Sequence, residues 1–113
     1  MNITATHQAP QHEGDLAGIR YSAEIDGIEV GYLLTHESGL ILNVEVDGGR
    51  QGEGIARALY EHADAAQEGL YHVPAWGCTE DGVAFAEAMG GDVMDDETAA
   101  TILDVDLSYL IID

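Results

Sequence analysis

The stretch VDGGRQGEGIARAL, residues 46–59, joins the end of a strand pattern to the start of a helical pattern through a glycine-bearing turn. Gly52 and Gly54 allow positive φ angles and a close approach of the backbone to a ligand. The N–H groups and the dipole at a helix start favour a bound anion. Arg50 and Arg57 lie in the same stretch, in a chain with three basic residues and no lysine. These features predict an anion-binding turn.

Upstream of the turn, apolar and polar residues alternate, which predicts β-strands. The alternation runs through residues 19–25, 28–34 and 40–46. An Asp-Gly pair at 26–27 is a hairpin signal, so we expect these three strands to form an antiparallel meander. A further short strand is predicted over residues 2–5.

Downstream of the turn, the apolar residues follow first a helical spacing and then a strand spacing. The predicted elements are a helix at 54–68, a short strand at 70–75, a helix at 80–89, an acidic loop or ragged strand at 92–100 and a final strand at 103–111. Gly69 is a helix stop and Thr79 an N-cap in this prediction. The sequence therefore predicts an α/β fold, with a mixed sheet and two helices, in one domain over residues 1–113.

The chain is strongly acidic, with 22 Asp and Glu residues, three arginines and a formal net charge of -19. An intrinsically disordered acidic chain does not fit this composition, because 46% of the residues are hydrophobic and they recur at the spacings of strands and helices. Salt screens the self-repulsion of such a charge, so we expect a folded protein adapted to a salt-rich cytoplasm. Nucleic acid is not an expected partner, because phosphate contacts need a basic surface.

The sequence also lacks the marks of membrane and secreted proteins. No run of about 18 apolar residues is present, so no membrane partner is expected. Residues 1–15 have neither a basic start nor an apolar stretch, so no secretion signal is expected. Cys78 is the one cysteine, which excludes a disulfide framework and favours a cytoplasmic location.

Two common phosphate-binding loops can be tested directly on residues 46–59. A Walker-type loop needs a lysine after its last glycine, and the chain has no lysine. The dinucleotide fingerprint GxGxxG is also absent, because the GEG at 52–54 is followed by IAR at 55–57. The turn therefore carries neither nucleotide signature.

The segment QGEGIA, residues 51–56, resembles the [Q/R]-x-x-G-x-[G/A] loop with which GNAT-type N-acyltransferases bind the pyrophosphate of acyl-CoA. Residues 46–47 stand where that family ends its splayed central strand, and residues 58–59 match the apolar start of its next helix. The downstream strand, the downstream helix and the glycine pair at 90–91 also fall at the family's positions. The resemblance covers residues 16–113, without room for the family's usual N-terminal pair of helices, as in a small truncated member.

The resemblance implies an enzyme, an N-acetyltransferase that transfers an acetyl group from acetyl-CoA to a primary amine of a small molecule or a protein. The pyrophosphate would be held by the backbone N–H groups of Gln51, Gly52, Glu53, Gly54, Ile55 and Ala56. The main chain from Val44 to Val46 would pair with the pantetheine arm like an added strand. The amine would attack the thioester near the splay between the strands at 40–46 and 70–75, where the enzyme positions it and accepts its proton.

The sequence departs from the family pattern at three positions. Ala86 falls where many members carry a tyrosine general acid, and Thr79 falls where many carry an asparagine that contacts pantetheine. Glu53 stands at a position that is often basic. A CoA thiolate leaves without a strong acid, because the thiol pKa is near the ~8.5 of a free thiol. The alternatives are a non-catalytic acyl-CoA-binding module, which the missing tyrosine favours, and an interaction domain whose turn binds nothing.

Three residues are candidates for the catalytic chemistry, and each has a structural alternative. Glu45 is a general base, acting directly or through water, or else a solvated strand residue or one beside a partner subunit. Cys78 is an acyl-accepting nucleophile with a pKa lowered at a helix start, or else a small buried side chain. His72 is a second candidate base or a core histidine, in a strand next to the expected thioester.

No metal is expected, because His36, His62 and His72 do not have the spacing of zinc ligands and Cys78 is alone. We interpret His36 as a turn residue and His62 as a flank of the core stripe of its helix.

The remaining candidates concern phosphates and partners. Arg57 and Arg50 are expected to contact the phosphates of CoA, and the alternative is salt bridges to the abundant carboxylates. Trp76 is interpreted as a core anchor or as a wall of the acceptor site. The polar strand face with Asn43 and Glu45 lacks a covering helix, which predicts a homodimer.

Overall fold

The computed structural model describes residues 1–8 and 18–104 and shows a mixed α/β fold, as the sequence predicts. In chain order the elements are β1 (Asn2–Gln8), β2 (Gly18–Ile25), β3 (Ile28–Thr35), β4 (Ile41–Val46), α1 (Ile55–Ala66), β5 (Tyr71–His72), α2 (Glu80–Met89), β6 (Asp92–Val93) and α3 (Asp96–Leu103). Single 3-10 turns occupy Gly48–Arg50 and Ala75–Gly77. No helix in the described ranges has the length and apolarity needed to cross a membrane.

The first four strands form an antiparallel meander in the order β1-β2-β3-β4, which confirms the prediction. Asp26 and Gly27 connect β2 to β3 with φ angles of 54° and 79°, as a tight hairpin turn with two left-handed residues requires. The predicted strand at 2–5 is longer in the structure, because β1 pairs with β2 along its whole length.

The strands β4 and β5 diverge soon after they meet. In the part of the chain that the structure describes, a parallel bridge between Leu40 and Tyr71 joins them, and β5 then pairs with β6. The predicted strand at 70–75 is shorter, because Pro74 and the 3-10 turn at Ala75–Gly77 redirect the chain. The splayed strand of the prediction is therefore present, and the outer edge of β4 faces a groove.

The core lies between the meander and α1. The buried face of α1 consists of Ile55, Leu59 and Ala63, as its helical spacing predicts. The helix packs on the sheet residues Tyr21, Ala23, Val30, Leu33 and Ile41. Removal of these apolar surfaces from water is the main force that docks α1, and with it the turn at 51–54, on β4.

A buried polar network joins the end of α1 to the sheet. The Gln67 Oε1 atom accepts hydrogen bonds from Tyr21 Oη at 2.9 Å and Thr35 Oγ1 at 2.5 Å. Gln67 Nε2 donates to the carbonyl of His36 at 3.1 Å. Thr35 is fully buried, so this network satisfies polar groups that have no access to water.

The segment after β6 is a helix, so the prediction of an acidic loop or ragged strand at 92–100 is wrong for most of its length. Asp95 caps α3, because its Oδ2 accepts from the Thr98 N–H at 2.9 Å, and this hydrogen bond lowers the pKa of Asp95. Ala99 and Ala100 bury the inner side of α3. Leu103 belongs to this helix instead of a final strand, and the rest of that predicted strand, at 105–111, lies outside the described residues.

A smaller apolar cluster holds α3 against Leu40 and the segment around Trp76. Leu40, Met94 and Ala99 form its buried centre, and Trp76 packs against them. Trp76 Nε1 donates to Asp96 Oδ1 at 2.9 Å. These contacts favour the interpretation of Trp76 as a core anchor.

Candidate functional site

A groove follows the outer edge of β4 and consists of two adjoining cavities. The splay cavity, of about 360 Å³, lies where β4 and β5 diverge, between residues 41–45, His72 and the start of α2. The turn cavity, of about 810 Å³, lies between β4, α2 and the turn before α1. Both cavities are lined by Val44, Glu45, Asp81 and Phe85. The groove therefore runs from Gln51 and Ala56, which flank the predicted anion turn, to the predicted thioester position.

The turn before α1 has the backbone conformation that its glycines predict. Gly52 and Gly54 have φ angles of 88° and 81°, and a Cβ atom on either glycine would meet nothing within 4 Å. The Ala58 N–H donates to the carbonyl of Gly54 at 3.0 Å. The N–H groups of residues 55–57 come before this bond and have no acceptor within the helix. Gln51 and Ala56 line the turn cavity. The turn thus presents backbone donors at an open surface.

The other residues of the predicted loop are placed less favourably. Gly52, Glu53 and Gly54 are exposed and lie outside the lining of the turn cavity, and the Ile55 side chain is buried in the core. Only the backbone of Ile55 is therefore left to contact a ligand.

Each of the three arginines has a partner within the protein. Arg50 lies 3.7 Å from Glu53, and Arg20 lies 2.9 Å from Glu29. Arg57 Nη2 donates to the Ala88 carbonyl at 3.0 Å, near the end of α2, where a cation complements the helix dipole. Salt bridging is thus present for Arg50, whereas Arg57 ties α1 to α2. Among the backbone amides of residues 51–56, that of Glu53 donates to the Arg50 carbonyl at 3.4 Å, so the other amides are the donors left for an anion.

The main chain of β4 directs two amides toward the groove. The Asp47 N–H donates to the carbonyl of Val30 on β3 at 2.9 Å. Because successive N–H groups of a strand point to opposite sides, the N–H groups of Val46 and Val44 point away from β3. The Val44 N–H bonds to the side-chain oxygen of Asn43 at 2.9 Å. Val44 and Val46 therefore have the geometry that an added strand needs.

Glu45 lies on the exposed face of β4, directly across from Tyr32 on β3. Burial raises the pKa of Tyr32, and the negative charge of Glu45 adds to the rise. Asn43 Nδ2 donates to Tyr32 Oη at 2.9 Å, and the Arg20 guanidinium lies 3.8 Å from the centre of the Tyr32 ring. No local sequence signal points to Tyr32 or Arg20, because only the strand register places Tyr32 across from Glu45 and Arg20 over the Tyr32 ring.

His72 is buried, with 4% of its surface exposed, and lines the splay cavity. Its Nε2 lies 2.6 Å from the carbonyl oxygen of Gly90. A carbonyl can only accept, so Nε2 carries the proton and Nδ1 is the basic nitrogen of the neutral ring. The ring stacks on Tyr60 with centroids 5.7 Å apart and meets the edge of Phe85. Its orientation is therefore held by three neighbours.

Cys78 and Thr79 lie at the start of α2 and line the splay cavity. The Cys78 thiol donates to the carbonyl of Val73 at 3.1 Å, and burial raises its pKa. This direction is opposite to the lowered pKa that a nucleophilic role needs. Thr79 is the N-cap that the sequence predicts, because its hydroxyl oxygen accepts from the Gly82 N–H at 3.1 Å.

Two further histidines, His36 and His62, make local contacts. His36 lies in the turn after β3, where its Nδ1 contacts Ser38 Oγ at 2.9 Å. His62 meets Tyr21 edge-on with ring centroids 5.9 Å apart, at the flank of α1. Among residues 1–8 and 18–104, no group of three His, Cys, Asp or Glu side chains is placed to hold a metal ion.

Comparison of this chain with protein-family models, with curated proteins and with solved structures found no match. The family resemblance therefore remains a proposal that depends on residues 46–59 and on the groove beside them.

We expect the protein to need a glycine at position 54, because the backbone there is left-handed. Gly54→Ala should lower the free energy of unfolding by about 1–2 kcal/mol, because a Cβ atom is unfavourable at positive φ. Denaturant unfolding checks this value. Gly48→Ala is the matched control, since Gly48 lies in the same loop without a positive φ and has open space around it. Equal losses in the two variants would contradict the prediction.

Cys78 is expected to react slowly with alkylating reagents. Because burial raises its pKa, less thiolate is present at neutral pH than in an ordinary thiol, and the alkylation rate should rise with a midpoint above the ordinary value. The pH profile of iodoacetamide labelling, followed by mass spectrometry, measures this midpoint. Labelling in denaturant supplies the ordinary value, and a lower midpoint in the folded protein would refute the assignment.

Proposed function

We propose that this protein is an acyl-CoA-dependent N-acyltransferase that transfers an acetyl group from acetyl-CoA to a primary amine. The observation that carries this proposal is the open edge of β4, with the Val44 N–H directed into a groove. That groove leads to Gln51 and Ala56, which flank the exposed residues 52–54 before α1. An extended amide-bearing arm that ends in a pyrophosphate fits this combination of a strand edge and a helix start.

In this proposal the parts of the cofactor are distributed along the groove. The pyrophosphate contacts the backbone N–H groups at residues 51–56, where no guanidinium is free of a protein partner. The pantetheine arm follows Val44 and Val46 and hydrogen-bonds to their main chain. The thioester lies in the splay cavity, beside His72.

The chemistry is a direct attack of a neutral amine on the thioester carbonyl. A C–N bond forms, the C–S bond breaks, and CoA leaves as a thiolate of moderate pKa. Glu45, which lines both cavities, accepts the proton of the amine directly or through water. The protonated Cys78 thiol favours this direct route over an acyl-cysteine intermediate.

The second candidate function is a non-catalytic acyl-CoA-binding module. Ala86, on α2, stands where the resembled family carries a tyrosine, and a methyl group cannot donate a proton. The raised pKa of Cys78 is consistent with this module too, since it removes one candidate nucleophile.

We further propose that two copies associate in a salt-rich cytoplasm, through the part of the polar sheet face that lies outside the groove. The helix α1 packs against the opposite face of the sheet, and Asn43 and Glu45 are exposed. Light scattering in multimolar salt should show a dimer, and a monomer at all concentrations would exclude it.

Calorimetric titration with acetyl-CoA in multimolar salt tests the proposed function. We expect binding there, because salt screens the repulsion between the cofactor and a protein with net charge -19. No measurable heat or affinity would refute both the enzyme and the binding module.

Glu45→Gln separates the enzyme from the binding module. The variant should lose about 10²-fold or more in kcat over a panel of primary amines, because it cannot accept a proton, and should keep the Kd for acetyl-CoA. Glu24→Gln is the control, since Glu24 lies on β2 outside the lining of both cavities. Binding without turnover in the wild-type protein would favour the module.

A further inference from the structure

We infer that the side chain of Asn43 is a clasp that competes with the pantetheine arm for the Val44 N–H and links that position to Tyr32. This inference rests on the proposed function. Asn43 is then a positioning residue, because it acts through Val44 and Tyr32 and does not react itself.

One planar amide makes both bonds of the clasp. Asn43 Oδ1 accepts from the Val44 N–H at 2.9 Å, and Asn43 Nδ2 donates to Tyr32 Oη at 2.9 Å. The oxygen and nitrogen are attached to the same carbon atom, so they move together. A rotation that releases the Val44 N–H therefore also breaks the bond to Tyr32.

The Asn43 side chain and the pantetheine arm compete because Val44 offers a single N–H at the strand edge. Val44 has one N–H, which points away from β3 and into the groove. A carbonyl of the pantetheine arm and Asn43 Oδ1 need the same hydrogen. Since the two acceptors exclude each other, binding of the arm displaces the Asn43 amide.

Displacement of the Asn43 amide also changes the hydrogen bonding of Tyr32, which lies beside the proposed base. Tyr32 lies across from Glu45, and its ring packs under Arg20. Asn43 lines the splay cavity, Tyr32 lines the turn cavity, and Glu45 lines both. When the clasp opens, Tyr32 Oη loses its donor and can accept a hydrogen bond from an incoming ammonium or amine beside Glu45.

The clasp can be tested by the Kd for acetyl-CoA, measured by calorimetry in multimolar salt. Asn43→Ala should bind about two- to tenfold more tightly than the wild type, because one hydrogen bond no longer has to be broken. Tyr32→Phe should bind more tightly by a smaller factor, since the clasp keeps its bond to Val44. The double variant should match Asn43→Ala alone, because the Tyr32 hydroxyl acts on the Kd only through Asn43.

A ligand-free measurement complements the titration. Hydrogen exchange of the Val44 amide should be faster in Asn43→Ala than in the wild type, and the two should become equal with acetyl-CoA bound. Asn2→Ala is the matched control, because Asn2 is the other asparagine of the chain and lies on β1. It should leave both the Kd and the Val44 exchange unchanged.

The outcomes separate the clasp from the proposed function. If the wild type binds acetyl-CoA and Asn43→Ala binds equally or more weakly, the clasp is overturned and the proposed function stands. Additive effects of the two substitutions would also overturn it. If the wild type does not bind acetyl-CoA, the proposed function fails and the competition fails with it.

Discussion

The divergence of β4 and β5 after the Leu40–Tyr71 bridge is the constraint on which the rest of the site depends. A strand edge carries N–H and C=O groups that need water, a side chain or an added strand as partners. On β4 the Val44 N–H is met by its own neighbour, Asn43. The same divergence leaves space against α2, so the free edge and the groove have one physical origin.

The second constraint is the scarcity of cations. The three arginines are each held by a protein group, through Glu29, Glu53 and the carbonyl of Ala88. An anion at the turn before α1 therefore depends on backbone N–H groups. These N–H groups do not titrate near neutral pH, and the core contacts of α1 hold them in place. An acidic protein can thus offer an anion site without a basic surface.

The local elements were largely predictable, and the failures have identifiable causes. The helix α3 was missed because its acidic residues mask a short apolar side, and the burial of Ala99 and Ala100 depends on contacts with distant residues. The strand at 70–75 was overextended because the 3-10 turn after Pro74 is set by packing around Trp76. In the site, Glu45, His72 and Val44 line the groove as the sequence suggests, but Tyr32 was missed because only the β3–β4 register places it beside Glu45.

The sequence by itself determined the hairpin at Asp26-Gly27, the meander, the two main helices and the positive-φ turn before α1. Alternation, helical spacing and glycine conformation act over a few residues, so they can be recognised locally. Only the tertiary structure decided that Arg57 binds the end of α2, that burial raises the pKa of Cys78, and that Asn43 joins Val44 to Tyr32. These features depend on strand register and helix docking, which bring together residues far apart in the chain and are not encoded in a local pattern.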